Sequence, residues 1–235
     1  SATQIRPTTH NARDAQVHTR ANITETHRSA RSRRPGSGLE AVLPLVLQRF
    51  AITAQLVLVS VGLATVLAVP LGMFAAWRQN SAFDLGVVIG ATALMSIPTF
   101  WMGLMLLLLF GLNLGWLPVL GYVSPFEDFG AGVLYLAMPV AALVLHECGI
   151  LVRMSRASTL DVLRLDYVTH ARAKGLTEGQ VLRHHVFRNA FGPTWTLLGL
   201  ILGNLLGGVA VVETVFTIPG LGRLIVESIY GRDYP

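Results

Sequence analysis

Four long apolar runs, residues 51–76, 85–112, 133–152 and 195–215, constrain this chain more than any other feature. A helix needs about 20 predominantly apolar residues to cross about 30 Å of hydrocarbon, and each run reaches that length. A helical bundle in water would carry polar helix faces, which these runs lack. Composition agrees: 52% of the residues are hydrophobic and 13% charged, against about a quarter charged in soluble domains. The expected fold class is therefore all-α, a polytopic membrane helical bundle with spans at about 51–76, 85–112, 133–152 and 195–215. Cys148, the single cysteine, sits inside the third run, so no disulfide framework exists.

Charge placement orients the spans. Residues 153–188 hold seven Lys/Arg, whereas residues 113–132 hold none. The positive-inside rule puts residues 153–193 on the cytoplasmic side and the connection at 113–132 outside. Alternation then places the turn at 77–84, with Arg78, inside and residues 1–50 outside. That last placement conflicts with the rule, because residues 1–50 carry eight arginines. Either an earlier helix is missing from this sequence or the tail is foreign to the domain. Residues 1–41 are polar and lack apolar periodicity, and they are expected to form a disordered tail before a membrane domain at 42–235. The tail's basic run is read as solvated, not as a nucleic-acid site.

One cytoplasmic stretch, "ARAKGLTEGQVLRHHVFRNA" at 171–190, is basic and strongly patterned. Leu160, Leu163, Tyr167 and Ala171 repeat at helical spacing. Gly175 is placed to end that helix in a left-handed conformation, with Lys174 beside its last carbonyls. Thr177 and Gln180 have the spacing of a capping box, and Leu176 and Val181 that of a hydrophobic staple. The second helix carries Leu182, Val186 and Ala190 on one face and His184, His185 and Arg188 opposite, and Pro193 is expected to close it. The residues alone leave two readings open: a handle for a protein partner, or a helix pair lying on anionic lipid.

"DYVTHARAKGL...HHVFRNAFGP" resembles the cytoplasmic EAA loop of binding-protein-dependent ABC importer permeases, in particular the dipeptide, oligopeptide and nickel branch. "SIPTFWMGLMLLLLF" at 96–110, "LVRMSRASTLDVLRLDYV" at 151–168 and "VVETVFTIPGLGRLIVESIYGRDYP" at 211–235 are similar to that branch too, so the likeness runs from about residue 42 onward. It implies a type I ABC importer permease fold with cytoplasmic coupling helices in a bacterial or archaeal inner membrane. The implied function is ATP-driven import of peptides or similar small solutes, nickel complexes included, by alternating access.

The implied partners are a second related permease subunit, two ATPase subunits, an extracytoplasmic solute-binding protein and the lipid bilayer, with no nucleic acid and no cofactor bound by this chain. By the same resemblance the loop docks on an ATPase through Asp166, Tyr167, Ala171, Ala173, Lys174, Gly175, Leu176 and Arg188. Thr169 and His170 stand where the wider family has Glu-Ala, and its Leu-Pro pair is missing near Phe187. Such permeases have six spans, so the chain is expected to be a four-helix core truncated at both ends.

Within the spans, Gly199, Gly203 and Gly207 follow small-xxx-small spacing, and packing within the chain is the preferred expectation for that face over contact with a partner permease. Pro70, Pro98 and Pro139 are expected to interrupt three helices. His146 and Glu147 are ionisable groups at membrane depth, which face a cavity or a partner by default. With Cys148 they offer nickel-ligand chemistry, but consecutive residues of a 3.6-residue helix point about 100° apart and do not converge on one ion, so no metal is assigned. Ser96, Pro98, His146, Glu147, Gly203, Asn204 and Gly207 are candidates for a translocation path or a helix interface.

Catalysis finds little support in the sequence. It holds no GxxxxGK[ST] phosphate loop, and "HECGI" lacks the second histidine of an HExxH zinc site. Asp161 and Asp166 are placed on a solvated helix face. No catalytic residue is assigned, and ATP hydrolysis falls to partner subunits. Two rival classes make different demands: an intramembrane enzyme using His146 and Glu147 would turn over alone, and a passive channel would conduct without ATP.

Overall fold

The computed structural model describes residues 35–232. Residues 1–34, most of the expected tail, lie outside the described residues. Every regular element among the described residues is helical. α1 is Pro35–Trp77, α2 Ala82–Ser96 and α3 Thr99–Leu106, which continues as a π-helical segment, Leu107–Asn113. After an irregular connection come α4 (Phe129–Leu163), α5 (Asp166–Ala173) and the single turn α6 (Glu178–Gln180). A second π-helical segment, Val181–Val186, leads into α7 (Phe187–Gly208), followed by α8 (Ala210–Val215) and α9 (Leu221–Gly231). Residues 35–41 are thus helical and belong to the first turns of α1.

The four apolar runs become three long helices and one bent pair. α1, α4 and the stretch Glu178–Gly208 are each long and apolar enough to cross a membrane, while α2 and α3 meet at 96°. Pro98 causes the bend. It lacks an N–H to continue α2 and forces Ile97 into extended backbone (ψ 123). Pro70 and Pro139 do not break their helices as expected; both lie inside continuous α1 and α4. Pro193 likewise sits inside α7 and closes nothing.

α4 is the central element. α2, α3 and α7 pack on it, and its buried Leu136, Leu143, Leu151 and Val152 join Leu56, Val57 and Ala64 of α1 in one apolar core. Glycines set the closest approaches. A Cβ on Gly72 of α1 would stand 2.6 Å from the Val152 carbonyl oxygen, and one on Gly149 would stand 2.7 Å from that of Ala91 in α2. Gly199, Gly203 and Gly207 make no such contact: a Cβ on any of them would meet nothing within 4 Å. The expected intrachain packing of that face is therefore not found among the described residues. Small-residue spacing permits close approach but supplies no neighbour.

Aromatic rings mark the two ends of the bundle. Phe74, Trp77 and Phe83 cluster at the α1–α2 turn, with the Arg78 guanidinium 5.4 Å from the Phe74 ring centroid. Phe187, Phe191 and Trp195 stack along α7 at the basic end. At the opposite end Trp116 sits against Phe110. Such belts suit the two interfaces of a bilayer.

Candidate functional site

The basic element at the cytoplasmic end is assembled from short local signals. α4 stops at Leu163 and α5 starts at Asp166, so residues 160–173 are not the single helix expected. The break rotates the face: Val168, not Tyr167, is buried with Ala171, and Tyr167 is exposed. α5 closes at Gly175, whose φ of +83° is left-handed. The Gly175 N–H donates to the Arg172 carbonyl at 2.9 Å and the Leu176 N–H to that of Ala171 at 3.4 Å. Those paired bonds form a Schellman cap, which satisfies the orphan carbonyls of α5.

Thr177 then starts the next helix, its N–H donating to Gln180 Oε1 at 3.0 Å, the reach-back half of a capping box. Val181 is buried in a small core with Val162, Val168, Ala171, Val186 and Ala190. Leu176 remains exposed and outside that core, so the expected staple is not made. The second helix does not end before the membrane. Its π-helical segment passes into α7, so a push on the tip reaches a membrane-spanning helix without an intervening loop.

Ala173, Lys174, Gly175 and Leu176 form the exposed tip, with Asp166 exposed in the first turn of α5 and Arg188 exposed on α7. These predicted residues are brought together in one element, but Ala171, expected to dock with them, faces inward and is buried in that small core. The other predicted set is scattered. Ser96 ends α2, its hydroxyl donating back to the Thr92 carbonyl at 2.8 Å, and Pro98 caps α3. Glu147 lies buried on α4 beside half-buried His146. His146 Nδ1 and Glu147 Oε2 are buried without a hydrogen-bond partner among the described residues. Gly203, Asn204 and Gly207 lie on the exposed face of α7.

Residues 68–235 match the family described as the binding-protein-dependent transport system inner membrane component. The chain belongs to that family. It is 39% identical over 196 residues to the oligopeptide transport system permease protein of Bacillus subtilis, covering 83% of this chain and 62% of that protein. It is 37% identical over 205 residues to a dipeptide transport system permease protein of Alkalihalophilus pseudofirmus, covering 79% and 62%. A di/tripeptide transport system permease protein of Pseudomonas aeruginosa is 36% identical over 216 residues, with 83% and 64% covered. The chain thus spans less than two thirds of the length of these relatives. A crystal structure of an amino acid ABC transporter with histidines shares the fold, with a TM-score of 0.57 at 18% identity over 84% of each chain.

Four polar groupings of this inner membrane component escaped the sequence reading. Arg172 and Glu178 make a two-pronged ion pair across Gly175, at 2.8 and 3.1 Å, bracing α5 to α6. Asn189 donates to the Tyr167 hydroxyl at 2.8 Å and to the His185 carbonyl at 2.9 Å, tying α5 to the base of α7. Where the spans leave the bilayer, Arg156 of α4 grips Asp84 of α2 through two bonds of 2.5 and 2.7 Å. The fourth is Glu213, completely buried on α8 although it lies in the fourth apolar run. Its signal was an acidic residue among hydrophobic neighbours, just before the "PGLG" turn. Among the described residues no group of three His, Cys, Asp or Glu side chains is arranged to hold a metal ion.

Proposed function

We propose that this chain is the membrane-spanning permease part of an ATP-driven importer for peptides or similar small solutes, with nickel complexes inside the same reading. A second related permease subunit completes the path, two ATPase subunits drive it and an extracytoplasmic solute-binding protein delivers the solute. The peptide class comes from the names of the relatives, and the chain itself carries no ATP-binding loop.

The observation that carries the reading is the stiffness of the cytoplasmic element. A handle conveying a rigid-body movement must not bend at its joint. Here the joint is one left-handed glycine, closed by two backbone bonds and bridged by Arg172 and Glu178. Asp166, Tyr167, Ala173, Lys174, Leu176 and Arg188 offer the contact surface to the ATPase, and small Ala173 lets it approach. ATP-driven closure of the ATPases moves the tip, α7 follows, and access alternates between the two sides. Within the spans, Ser96, Pro98, His146, Glu147, Gly203, Asn204 and Gly207 serve the path or the interface with the second permease. The unpartnered atoms of His146 and Glu147 support that role, because a polar atom in hydrocarbon demands a partner.

Gly175→Val tests the handle. A β-branched side chain at positive φ costs on the order of 1–3 kcal/mol and resets the angle between α5 and α6. In the full-length permease assembled with its partners, ATP hydrolysis should persist while uptake collapses. Normal uptake in a normally assembled complex would refute the handle.

A further inference from the structure

The corner between α8 and α9 is built around one buried carboxylate. Glu213 Oε1 accepts from the Thr53 hydroxyl of α1 at 2.5 Å, and Oε2 accepts from the Arg223 N–H at 2.9 Å. Thr53 Oγ1 in turn accepts from the Leu221 N–H at 2.8 Å. Two of the orphan N–H groups at the start of α9 are thus satisfied by side chains of two other helices. The Arg223 guanidinium turns away to Glu227 at 2.6 Å. The negative charge of Glu213 is left to these donors and to the positive end of the α9 dipole.

Between α8 and α9 the Phe216–Gly220 turn is wedged into the bundle. Phe216 is 3% exposed and Ile218 0%. The Phe216 ring fills the space over Gly103 of α3, where a Cβ would come within 3.0 Å of it. The Ile218 N–H donates to the Glu213 carbonyl at 2.8 Å, and the Thr217 hydroxyl accepts from the Gly121 N–H of the outer connection at 2.9 Å. A Cβ on Gly220 would collide with the Glu213 carboxylate. The turn therefore touches α3 and the outer connection, and the residues flanking it, Glu213 and Leu221, bond to Thr53 of α1, at the end opposite the coupling element. On its other side α9 packs on α8 at Gly222 and leaves Ile225, Ile229 and Tyr230 exposed.

We propose that Glu213 is a positioning residue that latches the Phe216–Gly220 turn into the extracytoplasmic end of the bundle, and that releasing the latch opens that end. The geometry concentrates the hold on one side chain. Glu213 joins α1, α8 and α9 at a single point, and both its oxygens are used. Glu213→Gln keeps the shape but loses the charge and one of the two acceptor oxygens, so the Thr53 hydroxyl and the Arg223 N–H can no longer each donate to their own oxygen.

The test uses the full-length permease assembled with its partners in a Cys148→Ala background, resting on the permease reading for its second arm. In the first arm, Ile218→Cys is exposed to a water-soluble maleimide added outside. Charge-assisted hydrogen bonds of this kind predict labelling about tenfold faster with Glu213→Gln than with Glu213. In the second arm, ATP hydrolysis per assembled complex without the solute-binding protein should rise by a similar factor, an effect that a merely structural contact would not produce. Thr53→Val should act in the same direction and more weakly. Equal labelling rates, or hydrolysis that stays fully dependent on the binding protein, would overturn the latch. Failure of both variants to assemble would also overturn it, making Glu213 a structural contact only. If the unsubstituted complex shows no ATP-linked uptake, the permease reading fails and the labelling contrast alone decides the latch.

Discussion

The Asp84–Arg156 pair shows how much a single contact can matter here. The Asp84 side chain is 5% exposed and that of Arg156 25%, so the pair is partly desolvated and each partner leaves a costly charge behind if the other is removed. Arg156→Ala should destabilise the full-length protein by about 3 kcal/mol. Asp84→Ala combined with Arg156→Ala should cost less than the two single changes summed, because no buried charge is then left unpaired. Thermal unfolding in detergent reads both, and additive losses would show that the two side chains act independently. Arg156→Lys should not restore stability, since a point charge cannot make the two-pronged grip. The Arg172–Glu178 pair differs: its side chains are 39% and 47% exposed. Glu178→Ala should therefore cost no more than about 1 kcal/mol and lower uptake far less than Gly175→Val.

At the scale of elements, the legible features were those whose cause lies within a few residues. The left-handed Gly175 and the Thr177–Gln180 cap follow from residue type at fixed local offsets, and both are present. The four apolar runs also carried their own evidence, since crossing a bilayer depends on length and composition. What failed depended on neighbours. Gly199, Gly203 and Gly207 had the right spacing but no close contact among the described residues, while Gly72 and Gly149, with no repeat to announce them, hold the close contacts. Pro98 bends its helix and Pro139 does not, and residue type alone does not distinguish the two. Asp84 and Arg156 are 72 residues apart, Thr53 and Glu213 are 160, and nothing local joins either pair. Gly149→Leu should accordingly destabilise the bundle by about 1–3 kcal/mol through overpacking. Gly203→Leu should leave folding intact, because its side chain enters open space. Equal thermal midpoints for the two variants would contradict this assignment of the α2–α4 contact.

For the whole molecule, the two ends of the bundle are built differently. One end carries the basic, capped element that runs into α7, and the other the wedged turn held by Glu213. α4, 35 residues long, separates them. A cysteine at Gly179 and one at Ser124, each in a Cys148→Ala background, should therefore react with impermeant reagents from opposite sides of the membrane. Reaction from one side would mean that the spans are miscounted. The central claim is that the tip at 173–176 is seated on an ATPase. It is tested most directly by placing a photo-cross-linking amino acid at Ala173 in the full-length permease, expressed with its partners in intact membranes. Cross-linking to the ATPase subunit, changing in yield between nucleotide-free and ATP-bound states, is the predicted result. Cross-linking to lipid alone in both states would contradict the account, leaving this element an interfacial helix pair with no part in coupling.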